Sequence, residues 1–142
     1  MSKPAPIVEL TRRETFAAAH RLWAPDLSAE ENWDLYGPCT HRYGHGHNYV
    51  LEVTLRGPVD ARTGLLMNLS QVSRLMDDLI LSDVDHRHLN HDSKLLEGLN
   101  PTAENLAVVF WEVLQQHFGA LLHEICLRET DKNSVRYRGE RT

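Results

Sequence analysis

The chain has 142 residues, nine histidines, two cysteines and a formal charge of −5. A chain of this size buries roughly 68–70% of its unfolded surface, enough for one domain with a hydrophobic core, and its acidity argues against a nucleic-acid surface while leaving room for a small anion in a locally positive pocket. No stretch approaches the ~20 apolar residues of a membrane helix and MSKPAPIVEL has no signal-peptide core, so the expectation is a single domain over 1–142, cytoplasmic, with Cys39 and Cys126 reduced.

The segment IVELTRRETFAAAH (Ile7–His20) mixes β-branched and apolar residues with charge and predicts a strand. On it Phe16, Ala18 and His20 share a face, because side chains alternate with period two. RLWAPDLSAEENWDLYGP is polar and marked by Pro and Gly, which predicts a long loop. HNYVLEVTLRG alternates cleanly, with Tyr49, Leu51, Val53 and Leu55 on one face and Val50, Glu52 and Thr54 on the other, as in a half-buried strand. GPVDARTG is a turn and LLMNL a short strand. SQVSRLMDDLILSDV carries Val72, Leu75, Met76, Leu79 and Ile80 at helical spacing, with Ser70 as N-cap. PTAENLAVVFWEVLQQHFG repeats that spacing with Leu106, Val109, Phe110, Val113 and Leu114, between Pro101 and Gly119. HEICLRETDKNSVRYRGE predicts two strands around a turn at Asp131–Ser134. Antiparallel strands with two helices over one face make an α+β layer.

The chemistry concentrates in CTHRYGHGHNYVLEV, residues 39–53, which places a thiol and three imidazoles just ahead of a strand. His45 and His47 stand at i and i+2, about 6.6 Å apart on one strand face, from which two imidazoles converge on one ion. Gly46 between them leaves room for another chain or a ligand. The spacing does not name a third ligand. His20 is a candidate because it ends another strand on the face of Phe16 and Ala18; His41, His86, His88 and His91 compete on sequence alone. Three neutral nitrogens with an open fourth position favour catalytic zinc, whereas a structural site would be closed by four ligands, and no C-x-x-C is present. GHGHNY is not a dinucleotide-binding glycine motif, and no phosphate-binding P-loop occurs.

Three further positions carry chemistry. Cys39 lies in the loop that leads to the histidine pair, where a cation would depress its pKa and make it a base or nucleophile. Asp85 and His86, in DVDHRHLNHD, offer a carboxylate that can fix an imidazole's tautomer and raise its proton affinity. Glu129, in LRETD, shares the parity of Ile125 and Leu127. A carboxylate on an apolar face is costly unless paired; a solvated strand end is one solution. The other is an amidine-like N–C–NH₂ edge, as in a guanine or pterin ring, held by two parallel hydrogen bonds.

In order, FAAAHRL, EENWDLYGPC, GHGHNY, TGLLMNLSQV, VDHRHLN, PTAEN and ETDKNSVRYRGE resemble the 6-pyruvoyltetrahydropterin synthase family over nearly the whole chain. The resemblance implies a tunnelling fold (T-fold): a four-stranded antiparallel sheet with two helices on one side, closing as a barrel in trimers that stack as a homohexamer, with sites between subunits. It implies zinc on His20, His45 and His47, Cys39 as general base, and Asp85 and His86 completing the proton-transfer set. Glu129 would anchor the pterin, with Thr102 and Glu104 beside it. The implied reaction takes 7,8-dihydroneopterin triphosphate to 6-pyruvoyltetrahydropterin with loss of triphosphate, with no nicotinamide because the reducing equivalents move within the substrate. Arg42, His41, Arg12 and Arg13 are candidates for meeting the triphosphate charge. A sister branch, 6-carboxytetrahydropterin synthase of the queuosine route, uses the same substrate and zinc. That branch reads C-x-x-x-H-G-H, whereas five residues, THRYG, separate Cys39 from His45 here and resemble the pyruvoyl branch. Some branch members, in folate synthesis, replace the cysteine by glutamate, and Cys39 argues against that reading. A zinc and pterin receptor without turnover would share the histidines and Glu129 but not need Cys39.

Overall fold

The period-two segments form the backbone of one sheet. In the computed structural model, which describes residues 3–142, strands β1 (Ile7–His20) and β2 (His45–Pro58) run antiparallel along their whole length, from Ile7 opposite Pro58 to His20 opposite His45. This register places Phe16, Ala18 and His20 on one face with Tyr49, His47 and His45. The remaining strands are β3 (Arg87–His88), β4 (Leu122–Thr130) and β5 (Asn133–Tyr137), and the sheet order is β3-β1-β2-β4-β5. The expected four-stranded antiparallel sheet is therefore corrected to five strands. The extra one, β3, runs parallel to β1 at Ala18 and Ala19, and two residues are too short to show any periodicity.

The face carrying Tyr49, Leu51, Val53, Leu55, Ile125 and Leu127 is buried under two helical segments. The first is α2 (Leu69–Met76), which continues through a π-helical turn, Asp77–Leu81, into a last turn at Ser82–Val84. It contributes Val72, Met76 and Ile80 to the core. The second is α3 (Ala103–Phe118), capped by the Thr102 hydroxyl on the Asn105 N–H, contributing Leu106, Phe110 and Leu114. Phe16 stacks on Tyr49 at 4.7 Å and meets Phe110 edge-on at 6.1 Å. Each such side chain, fully buried, contributes roughly 1.5–3 kcal/mol.

Three local expectations change. The polar stretch expected as a loop contains α1 (Ala29–Tyr36), started by a capping box in which Ser28 and Glu31 each satisfy the other's backbone N–H. Its one buried residue is Asn32, so it lacks the apolar stripe that announces a helix. LLMNL is not a strand: Leu66 and Met67 pack on the core from a loop, and Leu69 already belongs to α2. The cap of α2 is Asn68, whose side chain accepts the Ser70 N–H, rather than Ser70 itself.

Candidate metal centre and its surroundings

β1 and β2 end side by side, and that ending builds the site. His20 and His45 are cross-strand partners, and His47, opposite Ala18, stands one step further along the same face. The entry into β2 depends on Gly44, whose φ is +77° and where a Cβ would lie 2.6 Å from the His20 carbonyl oxygen. The three rings meet edge to face with centroids 4.7–5.1 Å apart. One ligand atom from each lies within 4.8 Å of the others, and His45 Nε2 is 3.0 Å from His47 Nε2. No other group of three or more His, Cys, Asp or Glu among the described residues is arranged in this way.

The surroundings define His20 most sharply. It is fully buried, and its Nδ1 lies 2.8 Å from the Pro101 carbonyl oxygen. A carbonyl only accepts, so Nδ1 carries the proton and Nε2 the lone pair. That Nε2 is the one buried side-chain nitrogen or oxygen without a hydrogen-bond partner among the described residues, and it faces His45 and His47. Burial holds His20 below the usual imidazole range, against the opposing pull of the Pro101 carbonyl and Glu129. Burial, followed by the neighbouring His47, does the same to His45. Burial that disfavours the charged forms of His20 and His45, together with the orphaned lone pair on His20, suits a divalent cation of the zinc type.

Glu129 extends the core-facing row of β4 to the rim of this cluster. Its Oε2 is 4.0 Å from His20 Nε2 and its Oε1 3.8 Å from His47 Nε2, so it flanks the triad without bonding to it. Cys39 sits in the 3₁₀ turn Gly37–Thr40, with Sγ 3.7 Å from His45 Nε2. The turn is held by the segment after β1: the Leu22 N–H donates to the Cys39 carbonyl at 2.8 Å and Arg21 Nε donates to the Thr40 carbonyl at 2.9 Å. Burial, reinforced by the Glu129 carboxylate, pushes the Cys39 thiol up. Thr102 caps α3 next to Pro101, which puts the start of that helix beside His20; Glu104 is exposed in its first turn.

Asp85 and His86 are brought together but not to the triad. His86 Nδ1 lies 2.9 Å from Asp85 Oδ1, an ion-pair contact, and the same oxygen accepts the Ala17 N–H at 2.9 Å. The His86 N–H donates to the Ala17 carbonyl, and His86 holds φ at +61°, a left-handed conformation rare for a residue with a Cβ. Ala17 and Asn48, which line the cleft below this pair, face away from the helices, so the exposed His86 ring stands on the far side of the sheet from the histidine cluster. Among the competing ligands, the His88 and His91 rings lie 4.5 Å apart, tilted by 35°, and His41 is exposed in the loop after Cys39. Of the candidate triphosphate groups, Arg12 is paired with Glu14, Arg13 lies on the outer face, and Arg42 lies over the Tyr43 ring. Sequence reasoning missed Tyr49 and Pro101 as neighbours of a ligand. The parity of Tyr49 with His47 was a signal for the first; nothing in the sequence pointed to the second.

The sequence profile of the family described as 6-pyruvoyl tetrahydropterin synthase matches residues 9–140. A 6-pyruvoyl tetrahydrobiopterin synthase of Drosophila melanogaster is 43% identical over 136 residues, covering 94% of this chain and 81% of that protein. A 6-carboxy-5,6,7,8-tetrahydropterin synthase of Synechocystis is 32% identical over 126 residues, covering 87% of each. The solved structure of Caenorhabditis elegans 6-pyruvoyl tetrahydropterin synthase superposes with a TM-score of 0.91 at 38% identity, covering 98% of this chain and 100% of that one.

Proposed function

Because the chain belongs to the 6-pyruvoyl tetrahydropterin synthase family, we propose that it is a zinc-dependent lyase. It converts 7,8-dihydroneopterin triphosphate to 6-pyruvoyltetrahydropterin and releases triphosphate. The observation that carries this reading is the meeting of three imidazoles from two strands around the orphaned His20 Nε2, with the Cys39 sulfur 3.7 Å from one of them. The higher identity to the pyruvoyl-named relative than to the carboxy-named one supports the product assignment.

His20, His45 and His47 would hold the zinc, which when bound supplies Lewis acidity toward the hydroxyls of the substrate side chain. The residues of the chain do the rest. The Glu129 carboxylate, at the rim, accepts the paired N–H groups of the pterin's amidine edge and sets the ring's orientation. Thr102 and Glu104 would lie beside the pterin ring. Cys39 removes a carbon-bound proton from the side chain, a base contribution typically worth 10²–10⁴-fold. In the second proton set, the Asp85 carboxylate, 2.9 Å from His86 Nδ1, would favour a proton on that nitrogen and raise the ring's proton affinity, leaving Nε2 to exchange a proton. Since this pair stands across the sheet from its own triad, assembly as a homohexamer, a dimer of trimers, brings one subunit's pair to another's site. The long edge of β1, paired with β3 only at Ala18 and Ala19, supports such closure, because an unpaired edge invites another strand.

The protein acts as a single cytoplasmic domain on a small molecule, without nucleic acid or membrane partners. Among the described residues no helix is long and apolar enough to cross a membrane. The test is incubation of zinc-loaded protein with 7,8-dihydroneopterin triphosphate. Triphosphate release with a product of the pyruvoyl mass, abolished in Cys39→Ala at unchanged zinc content, is expected. Absence of triphosphate overturns the enzyme reading, and a carboxy-pterin product moves the protein to the sister branch.

A further inference from the structure

His20 offers Nε2 to the cluster because its other nitrogen is held by Pro101, and Pro101 is held by Asn100. The Asn100 carbonyl accepts the Thr102 N–H at 2.8 Å, a three-residue turn around Pro101, and accepts Asn105 Nδ2 at 2.8 Å. Its side-chain oxygen accepts the Trp23 N–H at 3.2 Å, and its amide nitrogen donates to the Tyr36 hydroxyl at 3.2 Å. Asn100 thus ties together the segment after β1, the end of α1 and the start of α3. The carbonyl that emerges from this tie is the one that meets His20 Nδ1. The Tyr49 hydroxyl, 3.3 Å from the same nitrogen, is the weaker contact and, as a hydroxyl, would allow either tautomer.

We propose that Asn100 is a positioning residue for the metal centre: its hydrogen bonds aim the Pro101 carbonyl at His20 and so present the Nε2 lone pair to a cation. The inference rests on reading His20, His45 and His47 as a metal site. Groups that orient a ligating imidazole through its second nitrogen typically change metal affinity 10–100-fold when removed.

The test uses the full chain and two readouts: the zinc dissociation constant by competition with a chromogenic chelator, and the His20 tautomer from imidazole ¹⁵N shifts of metal-free protein at a pH where the ring is neutral. Asn100→Ala is expected to weaken zinc binding about 10–100-fold and to split the His20 signal between tautomers. Asn100→Asp keeps an acceptor for the Trp23 N–H and lets the Tyr36 hydroxyl donate instead of accept. It is expected to stay within about threefold of the parent, with one tautomer. The proposal is overturned if Asn100→Ala binds zinc as the parent does, if its His20 remains wholly Nδ1-protonated, or if Asn100→Asp behaves like Asn100→Ala. Should Asn100→Ala fail to fold, Tyr36→Phe decides. It removes one bond, with about a fivefold loss and partial tautomer mixing expected, and an unchanged protein overturns the proposal. A parent chain that binds no zinc refutes the metal reading alone, since the tautomer comparison needs no metal.

Discussion

The thiol of Cys39 offers the most quantitative test of how the site is coupled. In the chain without a cation, burial and then the Glu129 carboxylate both push it up, so little thiolate is present at neutral pH. A positive charge delivered to the triad opposes both effects. Cys39 Sγ is 3.7 Å from His45 Nε2, which sets the scale of the interaction. One unit charge about 4 Å away, at an effective dielectric near 20, is worth about 4 kcal/mol, or about three pKa units. Charge transfer to the ligands and solvent on the open side reduce this, so a fall of about two units is the expected result. The assay is the pH dependence of Cys39 alkylation by iodoacetamide, followed by mass spectrometry, in zinc-loaded and chelator-stripped protein. Cys126, buried in β4, serves as the slow internal reference. The zinc-loaded midpoint should lie about two pH units lower. Coincident curves would refute the idea that the metal activates this sulfur.

Three further outcomes follow from the same geometry. Glu129→Gln should weaken pterin binding about 10–100-fold, the loss of a charge-assisted hydrogen-bond pair, while zinc content by mass spectrometry stays near that of the parent because Glu129 stands 3.8–4.0 Å from the ligand atoms. His20 and His45 are held below the usual imidazole range. Between their folded values and the ordinary value near 6.5, the unfolded chain therefore binds protons that the folded chain does not. Stability must fall as pH is lowered through that window, and the melting temperature of metal-free protein should drop between pH 7 and 5, less so in His20→Gln. Ser28→Ala, which removes half of the capping box of α1, should cost about 1 kcal/mol in a urea titration.

Legibility in the sequence tracked how strongly each element declares a period. β1 and β2 were readable because burial on one face imposes alternation, and the parity that puts Phe16, Ala18 and His20 together is the parity observed. The helix after Pro101 was readable from its apolar spacing and flanking residues, and only its exact cap needed coordinates. α1 escaped because its stability comes from a capping box and from Asn32, whose side chain bonds Ala24, Leu27 and Ser28 carbonyls, rather than from an apolar stripe. β3 escaped because two residues carry no pattern. At the site, His45 and His47 are fixed by local spacing. The union with His20 depends on the pairing register of two strands, which brings together His20 and His45, 25 positions apart in sequence. The hold of Pro101 on His20 spans 81 residues, and the placement of Asp85 and His86 at the edge of β1 follows from their hydrogen bonds to the Ala17 backbone. Contacts of that range have no local signature.

The central claim is that His20, His45 and His47 together hold one cation. X-ray data collected above and below the zinc absorption edge, on crystals of protein purified without added metal, test it directly. The account predicts one anomalous peak per chain, about 2.0–2.1 Å from a ring nitrogen of each of the three histidines, and its disappearance in His20→Ala. A peak that survives the loss of His20, or one that lies instead on another set of side chains such as His88 and His91, would contradict it.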